Sequence, residues 1–186
     1  MSEQANKETL QLAAYLELPA FLVIVSSSIE VYHQETMGYL LGIKGENKFL
    51  VRYAIPFQTV ERGFAHATID IDRVGRINEI LKELSAGLEL IGDFHSHTQF
   101  GDSMATVIPS NADLMSSMPG KLNLICAVNQ KKRKSKWQEN ARKNLVGTVG
   151  AYHIEIGGYY VAEAGINEKY QRVLIKCPAL TGLDKK

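Results

Sequence analysis

A helical period is plain in only one segment of this chain, and that constrains the fold more than any other feature. Residues 70–85, DIDRVGRINEILKELS, place Val74, Ile77, Leu81 and Leu84 at helical spacing, and Gly87 follows as a stop signal. Elsewhere the apolar residues mostly fall in short runs bounded by turn signals, the pattern of β-strands. TMGYLLGIKGENKFLVRYAIPFQTV reads as two strands joined at Gly45-Glu46-Asn47, LELIGDFHSH as a third strand and LNLICAVNQ as a fourth. GAYHIEIGGYYVAEAG reads as a hairpin turning at Gly157-Gly158, with Tyr152, Ile154 and Ile156 on one face and His153 and Glu155 on the other. Residues 19–34 are ambiguous, since their five-residue apolar run suits a buried strand and Pro19 suits a first helical turn; the helix is the preferred reading. A short helix is expected over 110–118, after Pro109. Residues 166–186 have no strong period and are expected as an extension, a docked strand or helix with a loose terminus. Without regular βαβ alternation, these elements suggest a mixed α/β sandwich instead of a doubly wound sheet.

With 186 residues, 45% hydrophobic and 22% charged, one globular domain is the economical expectation. No apolar run approaches the roughly 20 residues that span a bilayer, and MSEQANKETLQ lacks the apolar core of a secretory signal, so a cytoplasmic protein is expected. Cys126 and Cys177 lack metal-site spacing and are expected as thiols, Cys126 buried within LNLICAV. The net charge of +1 gives no global attraction for nucleic acid or an acidic membrane. The run KKRKSK, residues 131–136, is read as a solvated loop, with an acidic protein surface as the alternative.

The chemistry concentrates in IGDFHSHTQFGDSMATVIPSNAD, residues 91–113. Alternation along a strand puts Ile91, Asp93, His95 and His97 on one side, so two imidazoles can face one ion. Catalytic zinc takes three protein ligands and leaves a position for water, and Asp113 is the best third ligand. Each part also has an ordinary explanation. A His-x-His is common by chance, and Ser110 with Asp113 three residues on is a capping-box signal. A third feature joins them: HQETMGYLLG, where Glu35 precedes a glycine-containing strand.

Together, Glu35, His95-Ser96-His97 and Ser110-Asn111-Ala112-Asp113 resemble the JAMM, or MPN-plus (JAB domain), family of zinc-dependent isopeptidases. ETMGYLLG is similar to that family's Glu-x-x-Gly-x-Leu-x-Gly, LIGDFHSH to its Gly-Trp-Tyr-His-Ser-His, and PSNADL to its Pro-Ser-x-x-Asp-Leu, across roughly residues 10–165. The resemblance implies an α/β (α+β) fold of the cytidine-deaminase-like type, a mixed β-sheet sandwiched by helices, over residues 1–165. It implies one zinc ion held by His95, His97 and Asp113, Glu35 as general base and Ser110 as oxyanion donor. The implied substrate is a conjugate of ubiquitin or a ubiquitin-like protein, cleaved after its C-terminal glycine, with neither nucleic acid nor membrane as partner; a protein partner or homodimer is left open. Two departures stand out: twelve residues, Thr98 to Pro109, separate His97 from Ser110 where the family usually has seven, and Asp93 stands where an aromatic is common. The longer loop is expected to alter the substrate groove and to leave the metal site alone. Ser96 is expected to face away from the site in a structural role. His66 is a candidate substrate contact, and His33 lies near Glu35 without an assigned task. The alternatives are a same-fold metallohydrolase for small peptide or amino-acid conjugates, a non-catalytic scaffold, and a nucleic-acid-associated role argued from the lysine run.

Overall fold

The computed structural model describes residues 11–58, 61–62, 67–68, 71–84, 87–131, 133–162 and 170–182. In chain order the elements are β1 (Ala13–Leu16), α1 (Leu18–Glu30), β2 (Met37–Lys44), β3 (Lys48–Pro56), β4 (Glu61–Arg62), β5 (Ala67–Thr68) and α2 (Ile71–Leu84). There follow β6 (Glu89–Thr98), α3 (Asn111–Ser116), β7 (Leu122–Gln130), β8 (Gln138–Glu139), β9 (Leu145–Val149), β10 (Tyr152–Val161), β11 (Tyr170–Lys176) and α4 (Pro178–Thr181). His66 lies outside the described residues. Among the described residues no helix is long and apolar enough to cross a membrane.

Nine strands form one mixed sheet in the order β11-β1-β3-β2-β6-β7-β10-β9-β8, and β11 also pairs with β10. That extra pairing closes seven strands into a ring. β10 makes it possible by dividing its second edge: Tyr152–Ile156 pair with β9, and Gly158–Val161 pair with β11. Side chains from all seven ring strands converge with those of α1 in one core, including Leu16, Leu40, Phe49, Phe94, Leu124, Ile154 and Ile175. This side is therefore the interior of the ring.

Helix α1 packs against that interior. Pro19 lies in its first turn, and its buried stripe runs Ala20, Phe21, Ile24, Val25, Ser27, Ser28, the spacing of one helical face. Ser27 and Ser28 are tolerated there because each hydroxyl donates back to the preceding turn, to the carbonyls of Val23 and Ile24 at 2.7 Å. The mixed, strand-rich sheet with few helices agrees with the α/β class. The expected sandwich does not describe it well. Closure by β11 makes the inner side chains face one another, so one helix on the inner face suffices to complete the core.

The hairpin reading of Gly157-Gly158 is also corrected. β10 runs straight through both glycines, paired with β7 from Tyr152 to Tyr160, and the turn lies before it at Gly150-Ala151, between β9 and β10. The glycines serve close approach: a Cβ on Gly157 would sit 2.8 Å from Val107 Cβ, and one on Gly158 would sit 2.5 Å from Ile175 Cδ1. Ile91 departs from expectation too. The β2–β6 register shifts between Leu40 and Leu41, skipping Ile91, and this irregularity turns Ile91 into the interior core, away from the face carrying Asp93, His95 and His97.

Candidate metal centre

The outer face of the ring carries a second, smaller apolar cluster of Val107, Ile125, Ala127 and Tyr159. His95 and His97 lie on this face because they pair directly with Ile125 and Ala127 of the parallel neighbour β7. Asp113 comes from the first turn of α3, which Pro109 and Ser110 set against β6. Ser110 caps that helix: its backbone N–H donates to Asp113 Oδ2 at 2.6 Å, and its Oγ accepts from Asp113 N at 3.2 Å.

The three side chains meet at their tips. His95 Nε2 and His97 Nε2 are 3.2 Å apart, His95 Nε2 lies 3.4 Å from Asp113 Oδ1, and His97 Nε2 lies 3.5 Å from Asp113 Oδ2. A tetrahedral ion with bonds of about 2.05 Å separates its ligands by roughly 3.3 Å, so this spacing fits a single small cation. His97 also has the tautomer a ligand needs. Its Nδ1 is 2.7 Å from the carbonyl of Thr106, which can only accept; in the neutral ring the proton therefore sits on Nδ1, and the Nε2 lone pair is left for a metal. Among the described residues, His95, His97 and Asp113 are the group able to hold a metal ion.

Electrostatics describe the same cluster. Burial alone would raise the Asp113 carboxyl, but hydrogen bonds from His95 and His97, aided by the Ser110 N–H, hold it well below the usual carboxylate range. Burial opposes charge on His97, yet Asp113, the Thr106 carbonyl and Glu35 together raise its pKa. These are the shifts of a site arranged for positive charge.

Glu35 approaches from β2. Met37 pairs with His95, and Glu35, two residues before it, acts on His97 through its charge. Ser96 ties down the residue between Glu35 and Met37. It is fully buried, its N–H donates to the Thr36 carbonyl at 2.8 Å, and its Oγ accepts from Thr36 N at 2.9 Å. The residue between the two histidines thus fastens the backbone next to Glu35 to β6.

Glu35, Ser110 and the three clustered residues all line one cavity of about 830 Å³, with Tyr39, Phe57 and Asp93 among its walls. Ser110 was expected to serve either as cap or as donor. The cap engages an oxygen lone pair and leaves the hydroxyl proton free, so the two uses are compatible. Asp93 is a half-buried residue beside the cluster. Burial pushes it up to about 6, with the charge of His95 opposing and that of Asp113 adding. The Asn123 amide, turned with its nitrogen toward it, donates to Asp93 Oδ1 at 3.1 Å. The sequence placed Asp93 on the histidine face and marked it as a departure, but carried no sign of Asn123, Thr106, Asn129 or Tyr159, whose contacts with the 98–109 loop or the floor of the site no local pattern shows.

The longer loop leaves the three side chains together, and it is packed down so that the Thr106 carbonyl meets His97. His33 has positive φ and is exposed, its ring tilted against that of Tyr32 with centroids 4.3 Å apart. His153 is half-buried on β10 and is not among the residues lining the cavity. In the basic run, Arg133, Lys134 and Lys136 are exposed in the connection between β7 and β8. Cys126 and Cys177 are buried free thiols, Cys126 pushed by burial to about 12.

No curated protein matches the chain. In overall fold it is similar to the solution structure of a Desulfitobacterium hafniense protein, with a TM-score of 0.58, 14% identity, and 88% of this chain and 93% of that one covered. The family model described as prokaryotic homologs of the JAB domain matches residues 17–140, which takes in β2, all of β6 and its histidines, and α3. The chain belongs to that family, the prokaryotic homologs of the JAB domain.

Proposed function

We propose that this protein is a zinc-dependent hydrolase that cleaves the amide following the C-terminal glycine of a ubiquitin-like protein. The observation that carries the reading is the meeting of two imidazole nitrogens 3.2 Å apart with the Asp113 carboxylate, one oxygen of which lies 3.4 Å from His95 Nε2 and the other 3.5 Å from His97 Nε2, in a cavity also lined by Glu35 and Ser110. His95, His97 and Asp113 hold the ion. Zinc in such a site supplies Lewis acidity, polarising the scissile carbonyl and lowering the pKa of the attacking water from about 15.7 to about 7. Glu35 accepts the proton of that water at its carboxylate and returns it to the leaving amine. The Ser110 hydroxyl, its lone pair engaged by the cap, donates to the developing oxyanion. An extended Gly-Gly tail suits the cavity because residues without side chains can thread past the ligand cluster.

A second reading has an observation of its own. About 830 Å³ is also the volume of a typical small-ligand site, which favours a short peptide or amino-acid conjugate as substrate. One experiment addresses both: the zinc-loaded protein and Glu35→Gln are assayed on a fusion joined through a Gly-Gly tail and on a short peptide. The expected result is faster cleavage of the fusion, with turnover falling about 10²–10⁴-fold in Glu35→Gln while zinc is retained. Retained turnover would remove Glu35 from its role, and faster cleavage of the short peptide would favour the second reading.

A further inference from the structure

The twelve residues between His97 and Ser110 are held to the outer face of the ring at several points. At the start, Gln99 N donates to the Val128 carbonyl at 3.1 Å, and the Gln99 side chain accepts from Gln130 N at 2.9 Å. Further on, the buried side chain of Asn129 clamps Ala105 in both directions: Ala105 N donates to Asn129 Oδ1 at 2.7 Å, and Asn129 Nδ2 donates to the Ala105 carbonyl at 3.0 Å. Two residues later Val107 is buried against Ile125, Ala127 and Tyr159, in space that exists because position 157 is glycine. Its carbonyl accepts the Tyr159 hydroxyl proton, and Tyr159 Oη in turn accepts from Arg172 Nη2 at 3.0 Å. Thr106, between these two fixed points, directs its carbonyl at His97 Nδ1.

We infer that Asn129 and Tyr159 are positioning residues for the metal centre: by clamping the loop on either side of Thr106 they hold His97 in the Nδ1–H tautomer and thereby raise the affinity of the cluster for zinc. A carbonyl at the end of a free loop would leave the imidazole to choose between tautomers and orientations. One fixed on both sides removes that choice. Partners of this outer kind typically contribute about 10–100-fold in metal affinity. The inference rests on the zinc reading for its second half only; the tautomer belongs to the metal-free protein.

The test uses Tyr159→Phe, which keeps the packed ring and removes the hydroxyl, and Asn129→Ala as a second variant. The full chain is prepared metal-free, and the His97 tautomer is read from ring-nitrogen NMR shifts at a pH high enough for the ring to be neutral. Zinc affinity is then measured by competition with a chromophoric chelator. The expected result is an Nδ1–H His97 in the unsubstituted protein, a mixed tautomer in both variants, and zinc affinity lower by about tenfold or more, with unchanged circular dichroism. An unaltered tautomer, or affinity within twofold in a folded variant, overturns the inference even if the unsubstituted protein binds zinc tightly. If that protein takes up no zinc, the functional reading fails. The positioning claim then stands or falls on the tautomer alone.

Discussion

Replacing Ser96 with alanine isolates the contact that fastens the Glu35 segment to β6. Ser96 and Thr36 are both essentially sealed from solvent, at 0% and 1% exposure. The substitution removes the 2.9 Å bond from Thr36 N to Ser96 Oγ and leaves the reciprocal backbone bond from Ser96 N to the Thr36 carbonyl in place. What remains is a buried N–H with no acceptor, which costs about 1–3 kcal/mol. For a chain of this length each kcal/mol lowers Tm by about 2–4 °C, so a fall of roughly 2–12 °C is expected. Urea unfolding should show a lower midpoint at unchanged m, because the surface exposed on unfolding is the same. Zinc stoichiometry should hold, since the imidazoles project from the opposite face of β6, while turnover should drop as Glu35 loses its anchored neighbour. A stability change below about 0.5 kcal/mol would refute the reasoning, showing that the Thr36 amide finds another acceptor and that Ser96 does not secure this segment.

Other expectations follow from the same geometry. Asp93→Asn should stabilise the protein at pH 7.5 by up to about 3 kcal/mol, because a carboxyl raised from 3.8 to about 6 disfavours the folded state wherever it is ionised; the gain should vanish below about pH 4, and denaturant midpoints across pH decide it. Zinc affinity should increase as pH rises through the raised pKa of His97, since a proton must leave before Nε2 can ligate. The metal-free protein behaves oppositely. The raised His97 contributes stability that is complete below about 6.5 and lost above its folded pKa, while the depressed Asp113 contributes stability present above about 3.8 and lost in acid. Titration calorimetry for zinc and thermal melts of the metal-free protein should therefore have opposite slopes as pH rises from about 6.5 through the raised pKa of His97.

Much of the local structure was readable from residue patterns: α1 from Pro19 and its apolar stripe, the β2–β3 hairpin from Gly45-Glu46-Asn47, α2 from its period, and β6 from its alternation. What could not be read depends on contacts between distant segments. Gly157 and Gly158 look like a turn because glycine's local preference is permissive, whereas here they make room for Val107 and Ile175. Ile91 leaves its face through a register shift against β2, which has no local sign. Ring closure depends on β11 meeting both β1 and β10. At the site, the residue types of Glu35, His95, His97, Ser110 and Asp113 pointed to one another across nearly eighty positions, and all five line one cavity. The contact of the loop with His97 had no sign in the sequence because Thr106 acts through its carbonyl, a group every residue has.

A zinc site at His95, His97 and Asp113 underlies the proposed hydrolase. Elemental analysis of the protein purified without added metal, beside His97→Ala and Asp113→Ala, decides whether it exists. One zinc per chain is expected in the unsubstituted protein, with its loss in both variants. An unsubstituted protein that cannot take up zinc, or variants that keep a full equivalent, would contradict it.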